Sequence, residues 1–130
     1  MRANKAVVSV SCSVLMLAGA AKAADPPVCT LAAPTAVASI AQLPEQVQTL
    51  LLEAGPVADP GGDFNATDLF DPEHPVPDRR LVSGQAGAAC IVLTLEKGGR
   101  GYAHMLLEFR RTGGRWLLAG QVLQQPEQPR

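Results

Sequence analysis

Tyr102-Ala103-His104-Met105-Leu106-Leu107-Glu108-Phe109-Arg110-Arg111 is the stretch on which the fold turns. Ala103, Met105, Leu107 and Phe109 recur at every second position, and Tyr102, His104, Leu106, Glu108 and Arg110 fill the places between. A period of two belongs to a β-strand with one apolar face and one mixed face. Three further runs flank it: Arg79–Gln85, Ala88–Glu96 and Trp116–Leu123. In the second of these, Ala89, Ile91, Leu93 and Leu95 form the more apolar side. The links are Ala86-Gly87, Lys97-Gly98-Gly99-Arg100-Gly101 and Thr112-Gly113-Gly114-Arg115, short and glycine-bearing, which reads as hairpins. Four strands joined only by hairpins make an antiparallel meander.

Upstream, the first firm element starts at Pro44, since proline suits the first helical position, where its missing N–H has no helical partner. Glu45 complements the positive end of the helix dipole. Val47, Leu50, Leu51 and Ala54 follow at helical spacing, Leu52 falls off that stripe, and Gly55-Pro56 stops the helix. The expected fold is α+β: one main helix packed on a four-stranded antiparallel β-meander, preceded by a cleaved signal peptide. Residues 56–78 hold five prolines and two glycines. That is turn chemistry with room for one short strand near Phe64–Phe70, and a loop this long in a small domain is functional or mobile.

The N-terminus has the three parts of a secretion signal. Arg2 and Lys5 give a positive start, Ala6 to Ala18 carry no charge, and Ala21-Lys22-Ala23 offers small residues for cleavage after Ala23. The apolar run is too short to span a ~30 Å hydrocarbon layer. The organisation expected is a signal peptide at 1–23, a lead-in at 24–43 in which Thr35 caps a short turn, an α+β domain at 44–123 and a flexible tail at 124–130. An exported chain of this kind belongs in the periplasm or outside the cell, with no membrane span in its mature part.

The full chain carries 11 basic and 12 acidic residues. Cleavage removes Arg2, Lys5 and Lys22 and leaves 8 basic against 12 acidic, about −4. That balance argues against a nucleic-acid binder, which needs a basic surface to offset phosphate. The charges are also segregated. Every charge from 45 to 78 is acidic, whereas 79–115 holds seven arginines or lysines with only Glu96 and Glu108. The acidic loop either lies near the basic hairpins and offsets them, or forms part of a two-signed surface that docks a partner. Cys29 and Cys90 survive cleavage, and an even pair in an oxidising compartment predicts one disulfide.

Catalytic constellations are hard to assemble from these residues. Asp63, Asn65 and Thr67 alternate like the start of an EF-hand loop, but Asp68 stands where its glycine belongs and His74 where its bidentate Glu belongs. A series of Asx-type turns accounts for the same side chains. His74 and His104 are the only histidines, too few and too scattered for zinc. His104 and Glu108 lie four residues apart on one strand, about 13 Å, so they cannot form a dyad without a bend. Ser39 and Ser83 sit in no nucleophile elbow. No catalytic group, metal site or cofactor is expected.

Arg110-Arg111-Thr112-Gly113-Gly114-Arg115-Trp116-Leu117-Leu118 resembles the last hairpin of NTF2-like proteins, where a charged turn is followed by Arg-Trp and an apolar strand. The resemblance covers about 20 residues, and it implies a curved antiparallel sheet folded over a helix; a cystatin-like helix on a sheet fits as well. Such folds host enzymes, inhibitors and binding modules alike. The function expected is a small exported, non-catalytic module that binds another protein as an inhibitor or accessory factor. Its surface would comprise Tyr102, His104, Glu108, Arg110 and the loop residues Asp63, Asn65, Asp68 and Asp71. The alternative is a small-molecule enzyme or ligand carrier using the hollow of the curved sheet.

Overall fold

The computed structural model describes Cys29 and residues 31–124. The expected signal segment and the tail beyond Gln124 lie outside the described residues. The described residues form an α+β fold of one helix and a five-stranded antiparallel sheet in simple sequential order. Strand β1 is Thr35–Ala36, α1 is Glu45–Leu52, β2 is Arg79–Ala86, β3 is Cys90–Lys97, β4 is Ala103–Thr112 and β5 is Arg115–Gln124. The four expected strands are all present within two residues of their sequence-read ends.

The fifth strand corrects the expected count of four. Thr35 pairs with Ala86 and Ala36 with Gln85, on the outer edge of β2. Two residues are too few to show a period, and what holds them there is remote. The Cys29–Cys90 disulfide, with Cα atoms 5.8 Å apart, ties the lead-in to the start of β3. Thr35 therefore lies in a strand, and the 3₁₀ turn found among the described residues is Ile40–Gln42, which follows Ser39. The lead-in also feeds the core, because Val37 and Leu43 are buried in it.

The core lies between α1 and one face of the sheet. Val47 and Leu51 meet Leu81, Ile91, Leu93, Leu95, Met105, Leu107 and Phe109, and Leu50, Val57 and Trp116 close its rim. Alternation explains the sheet side: Leu95 is paired with Met105, Leu93 with Leu107 and Ile91 with Phe109, so each pair presents its side chains to the same face. Burying a side chain such as Phe109 or Leu93 contributes roughly 1.5–3 kcal/mol. The helix buries only a narrow stripe, and Leu52 stays 43% exposed.

Pro44 stands one place earlier than expected, at the N-cap, where its carbonyl accepts the Gln48 N–H at 3.0 Å. The helix ends in a turn whose Gly55 has φ 121°, a left-handed value that a side chain would strain. Its C-terminal carbonyls have a distant partner. Arg79, the first residue of β2, donates from one guanidinium nitrogen to Leu51 O at 3.2 Å and to Gly55 O at 2.5 Å. Burial lowers the pKa of this guanidinium, with Asp78 acting in the opposite direction. An arginine still keeps its proton, and its charge sits at the negative end of the helix dipole.

Between the helix and β2, residues 53–78 form no strand, so the short strand expected near Phe64–Phe70 is replaced by turns. The reason is local competition. Asn65 Oδ1 accepts from Thr67 N at 2.9 Å and from Thr67 Oγ1 at 2.8 Å, while Asn65 Nδ2 donates to Leu69 O. Leu69 N donates in turn to Thr67 Oγ1, and Glu73 N donates to Asp71 Oδ1. Side chains that cap nearby backbone groups leave none free for a ladder. The loop is nonetheless docked. Ala58 bridges Arg80, Gly98 N donates to Asp78 O at 2.8 Å, and Gly99 N to Ala66 O at 3.4 Å.

Candidate functional site

The mixed face of β4 lies opposite the helix, so its side chains point away from the core. Near the start of β4, four of them converge across three strands. The register places Glu96 of β3 beside both Arg80 of β2 and His104 of β4. Arg80 Nε donates to Glu96 Oε1 at 2.7 Å, and a terminal guanidinium nitrogen reaches the same oxygen at 2.5 Å. The Tyr102 hydroxyl donates to Glu96 Oε2 at 2.6 Å, and the imidazole of His104 meets the tyrosine ring edge-on with centroids 5.8 Å apart. Arg80 also donates to Gly62 O at 2.9 Å and stacks 4.1 Å over the Phe64 ring, which joins the network to the long loop.

The electrostatics follow from this geometry. The Glu96 side chain is only 12% exposed. Burial pushes its carboxyl up, but the hydrogen bonds from Tyr102 and Arg80, with the charges of Arg80 and His104, outweigh that and hold it below its ordinary value. The hydrogen bond to Glu96 raises the Tyr102 phenol, with burial adding to it. The carboxylate is thus spoken for on both oxygens, and its partners are locked in place. Such a network orients side chains; it does not present a free base to a substrate.

Of the residues singled out in the sequence, Tyr102 and His104 share this network. Glu108 and Arg110 lie further along the same face and pair with each other, Arg110 Nε to Glu108 Oε1 at 2.6 Å, so Glu108 faces the arginine and not His104. Asp63, Asn65 and Asp71 line a cleft of about 600 Å³ whose walls include Phe64, Leu69, Phe70, His74, Val76 and Arg80. Asp68 pairs with Arg100 across 3.2 Å, and Asp71 with His74 at the same distance. Glu96, Arg80 and Phe64 were not singled out. The links read from the sequence miss this register: a link of residues 97–101 would set Glu96 opposite Tyr102 and a link of 86–87 would set Arg80 opposite Leu93, whereas Glu96 pairs with both Arg80 and His104.

The loop has a second property. Leu69 and Phe70 are 76% and 77% exposed. They stand between Asp68 and Asp71, on a segment whose flanks are hydrogen-bonded. The acidic loop covers the end of the sheet where β2 begins and β3 ends, and there it meets Arg80 and Arg100. Arg110, Arg111 and Arg115 stand toward the opposite end, with Arg110 and Arg111 about 23–26 Å along β4 from its start. The loop therefore offsets only part of the basic charge, and the molecule carries an acidic end and a basic end. No helix among the described residues is long and apolar enough to cross a membrane. Comparison with protein-family models, with curated proteins and with solved structures returned no match to this chain.

Proposed function

We propose that this chain is an exported, non-catalytic module that grips another protein with its long loop and the adjoining sheet face. The observation that carries the reading is the pair Leu69–Phe70. Two adjacent large apolar side chains left three-quarters exposed make an apolar spot on a hydrogen-bonded loop, and aromatic anchors with polar rims are how protein surfaces bind. Asp63, Asp68 and Asp71 supply the rim, which suits a partner with basic residues around an apolar pocket. Tyr102, held by Glu96, and His104 beside it extend the contact onto the sheet, and Glu108 with Arg110 continues it.

Export to the periplasm or the cell exterior accompanies this reading, supported by the disulfide and by the signal-like segment ending at Ala23. The test is affinity capture from a cell-envelope extract by the purified protein and by its Leu69→Ala/Phe70→Ala variant. One protein retained by the parent and released by the variant is expected. Equal retention by both, or recovery of a small molecule with no protein, overturns the proposal.

A further inference from the structure

The two edges of the sheet are treated differently. The outer edge of β2 is blunted by a two-residue strand that the disulfide anchors. At the other edge β5 runs for ten residues, and among the described residues the sheet ends there. From Trp116 to Leu123 it has no charge and no proline, the two commonest devices that keep an edge strand from pairing. Leu117, Leu118, Val122 and Leu123 are each 44–56% exposed. Leu117 and Val122 lie opposite Arg110 and Leu106, on the mixed face. Leu118 and Leu123 lie opposite Phe109 and Met105, on the helix face. An edge apolar on both faces is unusual unless another strand adds to it. The one irregularity is a bulge, in which Leu118 opposes Phe109 while Gly120 opposes Glu108 and Ala119 is the extra residue.

We propose that β5 pairs with β5 of a second copy of this chain, antiparallel about a twofold axis between Ala119 and Gly120, into one ten-stranded sheet. The bulge selects that register. For the helices of both copies to lie on the same side, opposed residues must share a face. In an unbroken strand, same-face residues are an even number apart, but the extra residue shifts the count by one. Leu117 then opposes Val122, Leu118 opposes Gln121, and Ala119 opposes Gly120 at the centre, while Trp116, whose N–H already donates to Gln46 Oε1 at 3.0 Å, stands at the end of the ladder. Each of the first two pairs shares a face in the single chain, and the smallest side chains meet where the bulge needs room.

Charge favours the same direction. Antiparallel pairing sets the Arg111 and Arg115 hairpin of each copy beside the acidic end of the other, whereas parallel pairing would set Arg115 against Arg115. An edge-to-edge contact is smaller than the ~1,600 Å² of a standard stable complex, so the dimer is expected to be reversible rather than obligate. This inference does not rest on the loop surface, because the residues it pairs are those of β5 alone.

The test is sedimentation velocity of the purified protein from about 1 to about 500 µM, combined with spin labels at Arg115→Cys. A reversible monomer–dimer equilibrium is expected, with a label separation of about 30 Å, nine residues at ~3.3 Å each. Val122→Lys and Leu117→Gln change exposed positions, and each should weaken the dimer at least about tenfold with an unchanged far-ultraviolet circular dichroism spectrum. A one-copy mass throughout overturns the inference. So does a dimer indifferent to both substitutions, a label separation below about 15 Å, or a species holding one copy and a foreign polypeptide.

Discussion

Replacing Gly98 by alanine tests whether the long loop is part of the fold or merely rests on it. Gly98 is buried at the β3–β4 link and is not among the glycines with positive φ, so alanine meets no backbone strain there. The obstacle is space. An added Cβ would overlap the carbonyl oxygen of Asn65, with Ala66 Cα at 2.7 Å and Asn65 C at 2.8 Å. These are backbone atoms and cannot rotate aside. Overpacking of this kind costs about 1–3 kcal/mol where the surroundings hold. If the loop lifts instead, two backbone hydrogen bonds are lost, at about 0.5–1.5 kcal/mol each. The Phe64–Arg80 stack adds about 0.5–1 kcal/mol. The first route gives about 1–3 kcal/mol and the second about 1.5–4 kcal/mol, and their common range of about 1.5–3 kcal/mol lowers Tm in a domain of this size by roughly 6–24 °C. Urea denaturation supplies the first number, and hydrogen exchange separates the routes, because loop release exposes the amides of Asn65 and Gly98 ahead of global unfolding. A variant within about 0.5 kcal/mol of the parent, with both amides still protected, would refute the close packing on which this reasoning rests.

Two further perturbations probe the network and the staple. Glu96 is held below its ordinary value in the folded chain, so it contributes stability that is fully present above the unfolded value of about 4.3 and lost as pH falls through the folded value. Glu96→Gln should flatten the acid limb of the urea midpoint against pH, and identical limbs for variant and parent would show that the carboxylate is not the group responsible. Cys29→Ser/Cys90→Ser opens a bridge with a sequence separation of 61, for which the chain-entropy estimate is about 4 kcal/mol; a loss under about 1 kcal/mol in the same assay would mean that the lead-in contributes little to the fold.

How much of this was legible in the sequence differs element by element. The ladder from β2 to β5 was plain, because period-two alternation at 103–109 and 91–95 is strong and each link carries glycine. The helix was equally plain from Pro44 to Gly55, and Leu52 sat off the stripe as its exposure requires. β1 was invisible, since a strand of two residues is placed by a disulfide and by Val37 packing under Gly84, not by its own pattern. At 64–70 the apolar residues suggested a strand, but Asn65 and Thr67 satisfy the local backbone groups themselves. Tyr102 and His104 could be placed on one face from parity alone. Their dependence on Glu96 and Arg80 is a matter of register across three strands, and parity within a single strand does not carry it. The bulge at Ala119 was likewise hidden, because one extra residue leaves Trp116–Leu123 looking like an ordinary strand.

The reach of Arg79 back to Leu51 and Gly55 means that chain segments on either side of the long loop clasp one another directly. Ala58 beside Arg80 makes a second clasp. A protease that cut at Leu69 or Phe70 would sever the backbone but leave both halves fastened, so a nicked molecule would keep its shape and migrate whole until denatured.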